Sequence, residues 1–126
     1  MSAYVQAIAV DTPDPYTLAT WWSGVLDLPL AADDYPGDPV ASLRLGDDIE
    51  LIFVAVDDPK TVKNRLHLDL RPRDRNRDAE IERVLALGAT QIADHRQPDG
   101  TGWAVLADPE GNEFCIVRSA AERAGT

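Results

Sequence analysis

Apolar positions along this chain follow two periods that alternate. Val5-Gln6-Ala7-Ile8-Ala9-Val10 is a nearly continuous apolar run of strand length, as expected for a strand covered on both faces. Beyond it, Leu18, Trp21, Trp22, Val25 and Leu26 recur at three- and four-residue steps, which predicts a helix with one apolar face. Asp14 stands at the N-cap position and Pro15 at N1, where a missing N–H costs nothing. Pro29 is placed to end the helix. Short strands are expected at 30–32, 40–45 and 49–56, separated by the turn signals Tyr35-Pro36-Gly37-Asp38-Pro39 and Gly46-Asp47-Asp48.

After Asp57-Asp58-Pro59-Lys60 the pattern restarts. Arg65-Leu66-His67-Leu68-Asp69-Leu70 reads as a strand, Asp78 as an N-cap, and Ile81, Val84 and Leu85 as the stripe of a second helix stopped by Gly88. Strands near 90–93, 102–107 and 113–117 complete it, with an Asp108-Pro109-Glu110-Gly111-Asn112 turn before the last. Residues from Ser119 read as a polar tail. The halves overlay: Val25-Leu26 on Val84-Leu85, Glu50-Leu51-Ile52-Phe53 on Glu113-Phe114-Cys115-Ile116, and Asp14 on Asp74. A strand–helix–three-strand unit is used twice. The expectation is one α+β domain, with module one about 4–57, module two about 62–118 and a tail at 119–126.

Composition narrows the function classes. The chain has 126 residues, 44% of them apolar, which suits a single core. Its 22 acidic residues against 12 basic give a net charge of −10, which argues against nucleic acid and anionic membrane surfaces as partners. No apolar run approaches the roughly 20 residues of a spanning helix. Met1-Ser2-Ala3-Tyr4 lacks the basic and apolar regions of a secretory signal, and Cys115 is the single cysteine. The expectation is a cytoplasmic protein. Arg71, Arg73, Arg75 and Arg77 interrupt the acidic background and read as a solvated loop with Asp74 and Asp78 interleaved.

Three stretches carry a family resemblance. Trp21-Trp22-Ser23-Gly24-Val25-Leu26-Asp27-Leu28-Pro29 resembles the aromatic-pair, valine-leucine-glycine helix end of the vicinal oxygen chelate superfamily. Leu66-His67-Leu68-Asp69-Leu70 resembles that superfamily's second-module opening strand. Leu106-Ala107-Asp108-Pro109-Glu110-Gly111-Asn112-Glu113-Phe114 matches its turn into the last strand. The superfamily includes glyoxalase I, bleomycin-resistance binding proteins, extradiol dioxygenases and fosfomycin-resistance enzymes, and this chain is most similar to its glyoxalase-like domains. The resemblance implies two βαβββ modules forming a curved mixed sheet with a concave cleft, and a homodimer.

In members that bind metal, the ligands come from the first and fourth strands of each module. The resemblance carries these positions to Ala7, Glu50, His67 and Glu113. Ala7 cannot ligate, which leaves His67, Glu50 and Glu113 for a divalent ion such as zinc, nickel, manganese or iron. His67 lies between Leu66 and Leu68; if these leucines face the helices, its imidazole points onto the concave face. An inward carboxylate needs a cation, a donor or a proton, so Glu50 and Glu113 can instead pair with His67, Arg44 or Arg65. With a raised pKa, Glu113 can act as a general base partnered by His67. Trp22, Tyr35, Phe53, Trp103 and Cys115 are candidates to line a ligand pocket; Trp21 and Trp22 cannot both face the core. His95 is expected at a strand end near solvent. Two functions fit: an enzyme acting on a small oxygenated metabolite, or a non-catalytic protein that sequesters a small drug-like or aromatic molecule.

Overall fold

The computed structural model describes residues 1–125; Thr126, the end of the expected tail, lies outside the described residues. The chain divides between Pro59 and Lys60 into two compact units, Met1–Pro59 and Lys60–Thr126.

The first unit contains β1 (Ala7–Thr12), α1 (Pro15–Leu26), β2 (Val40–Arg44) and β3 (Glu50–Ala55). Its sheet runs in the order β1-β3-β2, with β1 parallel and β2 antiparallel to β3. Asp14 caps α1 as expected, its carboxylate accepting from the Thr17 N–H at 3.3 Å and the Thr17 hydroxyl at 2.8 Å, with Pro15 at N1. Leu18, Ala19, Trp22 and Val25 bury the apolar face of α1, and Leu43, Leu51 and Phe53 supply the sheet's side of the core. Burying a side chain the size of Phe53 contributes about 2–3 kcal/mol. Trp22 is buried and Trp21 half-buried, their rings edge to face at 5.2 Å.

Two expectations for this unit are corrected. The helix ends at Asp27, before Pro29. Asp27 takes the left-handed conformation (φ 54°, ψ 49°) and donates its N–H to the Ser23 carbonyl. It occupies the place that glycine holds in the helix end it resembles. The strand expected at 30–32 shrinks to a single bridge between Leu30 and Leu43. Asp33 and Asp34, poor strand formers, cut the apolar run short. The Asp34 carboxylate then accepts the Ser42 N–H at 2.9 Å that a longer strand would have used.

The second unit contains β4 (Asp69–Leu70), α2 (Arg77–Ala86), β5 (Thr90–Asp94), β6 (Trp103–Ala107), β7 (Glu113–Val117) and α3 (Ala120–Ala124). The sheet order is β4-β7-β6-β5, with β4 parallel to β7 and the remaining pairs antiparallel. In both units the first strand lies parallel beside the last, so each is a mixed sheet of the same plan. Ile81 and Val84 on α2 are buried, as are Leu106, Phe114 and Ile116 of the sheet, and α2 lies against β7. Gly88, just past α2, has φ 113°, the positive value that favours glycine at a helix end.

Several details differ from the sequence pattern. The opening strand expected at 65–70 forms only over Asp69–Leu70, and Leu66 is 86% exposed. Leu66 therefore does not face the helices, and the argument from it to the direction of His67 fails. Asn76, not Asp78, caps α2, accepting the Ala79 N–H at 2.8 Å. Asp78 sits in the first turn and pairs with Arg96 at 2.9 Å. Residues after Ser119 form α3, closed by a capping box in which Ser119 and Glu122 bond each other's backbone N–H.

The arginine stretch is not simply a solvated loop. Arg77 is buried, and its Nη1 donates to the carbonyls of Gly100, Thr101 and Gly102 at 3.1, 3.2 and 3.1 Å. Its backbone N–H donates to Glu122 at 2.7 Å, fastening α3 to the start of α2. Arg75 and Arg83 both bond the buried carboxylate of Glu80, at 2.9 and 2.8 Å. Arg71 donates to the Arg118 carbonyl at 2.8 Å.

Candidate functional site

The turn that carries the family resemblance also aims the last strand. Asp108 is buried, and its Oδ1 accepts the N–H groups of Glu110 and Asn112, both at 2.9 Å. Its Oδ2 accepts from the Asn112 side chain at 2.9 Å, and Gly111 supplies the positive φ of 86° that the turn requires. The motif is a self-bonded hinge that delivers Glu113 to the first position of β7.

Glu113 is not free there. Lys60 donates to its Oε1 at 2.7 Å and the Asn64 N–H to its Oε2 at 3.2 Å. The Asn64 side chain is bound to the Glu113 backbone in both directions, accepting its N–H at 2.8 Å and donating to its carbonyl at 3.3 Å. Burial, the largest influence, works to raise the carboxyl's pKa. Lys60 and the surrounding N–H donors outweigh it, so the pKa lies below the ordinary 4.5. The expected raised value is therefore corrected, and Glu113's cation is Lys60 instead of His67, Arg44 or Arg65.

Ala7 and Glu50 are register partners at the starts of β1 and β3, and Glu50 is half-buried. Arg44, the residue opposite Glu50 on β2, donates to the Asp47 carbonyl at 2.8 Å. Two of the implied ligand positions offer a divalent ion little as they stand. Ala7 offers no donor, and both carboxylate oxygens of Glu113 are engaged by N–H groups.

His67 joins a different group. It lies just outside β4, with Nδ1 3.4 Å from Asp69 Oδ1 and 3.9 Å from Cys115 Sγ. Asp69 and Cys115 are register partners across the parallel β4–β7 pair, and the Cys115 N–H donates to the Leu68 carbonyl at 2.8 Å. One donor atom from each of the three residues falls within 4.8 Å of the others. His67 and Asp69 are exposed and Cys115 is buried, so the group is open on one side. Burial, then the Asp69 carboxylate, pushes the Cys115 thiol up, with Lys63 opposing. The sequence reading named His67 and Cys115 separately and missed Asp69. The available signal was the two-residue spacing of His67 and Asp69 beside a strand that carries Cys115.

The remaining candidates are dispersed. Trp22 and Phe53 are buried in the first unit's core, and Tyr35 is exposed. Trp103 is 44% exposed and lies against His95, ring centroids 5.1 Å apart, at the exposed end of β5.

Comparison with known proteins agrees with this architecture. The family described as the glyoxalase-like domain matches residues 7–117. Among solved structures, a glyoxalase/bleomycin resistance protein/dioxygenase family enzyme from Burkholderia phytofirmans superposes with a TM-score of 0.68 at 21% identity, covering 90% of this chain and 97% of that one. Lactoylglutathione lyase from Agrobacterium tumefaciens gives 0.63 at 18% identity, covering 99% and 98%. A mutant of the fosfomycin resistance protein FosX from Listeria monocytogenes, complexed with Mn(II) and 1S,2S-dihydroxypropylphosphonic acid, gives 0.73 at 14% identity, covering 98% and 95%. Curated proteins yield no match. Among the described residues, no helix is long and apolar enough to cross a membrane.

Proposed function

Since this chain belongs to the glyoxalase-like domain family, within the vicinal oxygen chelate superfamily, we propose that it binds a small oxygenated metabolite on the β4–β7 face of its second unit and converts it by polarising its oxygens. The observation that carries this reading is the convergence of His67, Asp69 and Cys115 within 4.8 Å, open to solvent on one side. An imidazole and a carboxylate side by side can hold a hydroxyl and a carbonyl of one ligand at once, the carboxylate accepting and the imidazole donating. Glu113 serves as an anchor in this reading. A carboxylate held ionised by Lys60 and Asn64 takes up a proton poorly, so the general-base role is given up. The four-position metal set plays no part.

The protein would work in the cytoplasm, a setting that suits its lone free thiol. It would work as a homodimer, for which Ile92, 55% exposed on the edge strand β5, supports an apolar contact. The test of function is turnover. The chain is incubated with small epoxides and α-hydroxy carbonyls, fosfomycin and the methylglyoxal–glutathione adduct among them, and products are followed by NMR. Conversion of at least one compound, reduced 100-fold or more by His67→Ala, is the expected result. Ala7, which offers no donor, favours a second reading in which the chain sequesters its ligand unchanged. Binding without conversion across the panel would establish that reading in place of the first.

A further inference from the structure

We infer that His67, Asp69 and Cys115 form a binding site for a zinc-class divalent ion, one that keeps His67 from the positions where the superfamily places its ligands and takes its other donors two residues further along, at Asp69 and Cys115. The inference deepens the proposed function and rests on it only for the ion's role, not for its binding. Geometry is the first argument. A tetrahedral zinc ion about 2.0 Å from nitrogen and oxygen and about 2.3 Å from sulfur holds N and O about 3.3 Å apart and N and S about 3.5 Å apart. The corresponding separations here are 3.4 Å between His67 Nδ1 and Asp69 Oδ1 and 3.9 Å between His67 Nδ1 and Cys115 Sγ. Small side-chain shifts close the difference.

Donor chemistry is the second argument. One imidazole, one carboxylate and one thiolate make a mixed set that suits zinc and cobalt, whereas magnesium and calcium prefer oxygen alone. Three protein ligands with an exposed side leave a fourth position for water or a substrate oxygen, the composition of a reactive site instead of a closed structural one. On binding, the Cys115 S–H bond breaks, the sulfur bonds the ion and the proton passes to solvent. The backbone already holds the ligands in place: Asp69 and Cys115 are register partners, and the Cys115 N–H to Leu68 carbonyl bond keeps the segment next to His67 against β7.

The chelator-stripped chain is titrated with Co2+ as a spectroscopic substitute for zinc, and Zn2+ affinity is measured by competition. One ion per chain is expected, with a thiolate-to-cobalt charge-transfer band in the near ultraviolet. Cys115→Ser should abolish the band and weaken zinc binding at least tenfold. His67→Ala should weaken it similarly, and Asp69→Asn less. Circular dichroism of the metal-free variants checks that each is folded, and Cys115→Ala replaces the serine variant if that one is not. Absence of bound ion, binding without the band, or binding lost in Glu50→Gln or Glu113→Gln but kept in Cys115→Ser would each overturn the site. A wild-type chain that never shows the band overturns the metal site and leaves ligand binding on this face standing. A normal band with no turnover of any compound does the reverse.

Discussion

Lys60 and Glu113 are 53 residues apart in sequence, yet the ammonium of one lies 2.7 Å from the carboxylate of the other. The pair closes the long loop between the start of the second unit and the start of β7, and it determines the charge state of a carboxylate that the family pattern would have offered to a metal.

Acid should therefore weaken the fold through this pair. Glu113 has a folded pKa below its ordinary 4.5, so the stabilisation is fully present above that value and is lost as pH falls through the folded pKa. Glu80 behaves the same way. Its hydrogen bond to Arg83 is the largest influence, burial opposes it, Arg75 adds to it, and the net effect is a lowered pKa. Urea midpoints of the wild type should drop steeply below about pH 4.5, whereas the double variant Glu80→Gln/Glu113→Gln should show a shallower dependence. Parallel curves for the two proteins would contradict the assignment.

Breaking the arginine–glutamate cluster should be felt at neutral pH as well. Glu80 is 8% exposed and bridges Arg75 and Arg83. Glu80→Ala removes a buried carboxylate that Arg75 and Arg83 share and should destabilise by about 1–3 kcal/mol. Chemical denaturation at pH 7 measures this directly.

Asp27 offers a stabilising change. Its φ of 54° lies in the left-handed region, which penalises side chains with a Cβ and suits glycine. Asp27→Gly should raise stability by up to about 1 kcal/mol, seen as a melting temperature a few degrees higher. A lower melting temperature would mean that the Asp27 side chain contributes more than its backbone strain removes.

Gly102 predicts the opposite. Its φ is 93°, and a Cβ there would collide with the carbonyl of His95. Gly102→Ala should lower stability by about 2–4 kcal/mol, because a backbone carbonyl in a tight hairpin cannot move aside cheaply. Gly37→Ala, also at positive φ but with open space around it, should cost about 1 kcal/mol. The difference between the two variants isolates the collision from the dihedral strain.

Much of the fold could be read from local pattern. The capped start of α1, its Leu18-Trp22-Val25 stripe and the turn at Asp108–Asn112 are all set by short-range chemistry. So is the matching position of Glu50 and Glu113 at the starts of β3 and β7. The strand expected at 65–70 is shorter than its pattern because alternation says nothing about whether a ladder partner exists, and only Asp69 and Leu70 find one. The site was legible only in part, since Asp69 gains its neighbours through the β4–β7 register and Lys60 meets Glu113 through a long loop. Only the two-residue spacing of His67 and Asp69 is visible locally; the register and the loop contact are not. Arg77 was hidden for the same reason: a charge run predicts solvent until tertiary structure supplies three carbonyls to one guanidinium.

That guanidinium also divides the β5–β6 hairpin into two zones for anyone who wishes to label this protein. Gly100, Thr101 and Gly102 each lend a carbonyl to Arg77, so an inserted tag or fluorophore at the descending side of the hairpin would unseat α2 at its first residue. Asp99 holds Thr101 by its N–H and hydroxyl, whereas Pro98, exposed at the tip, lies just beyond the clasp, and an attachment there would leave it shut.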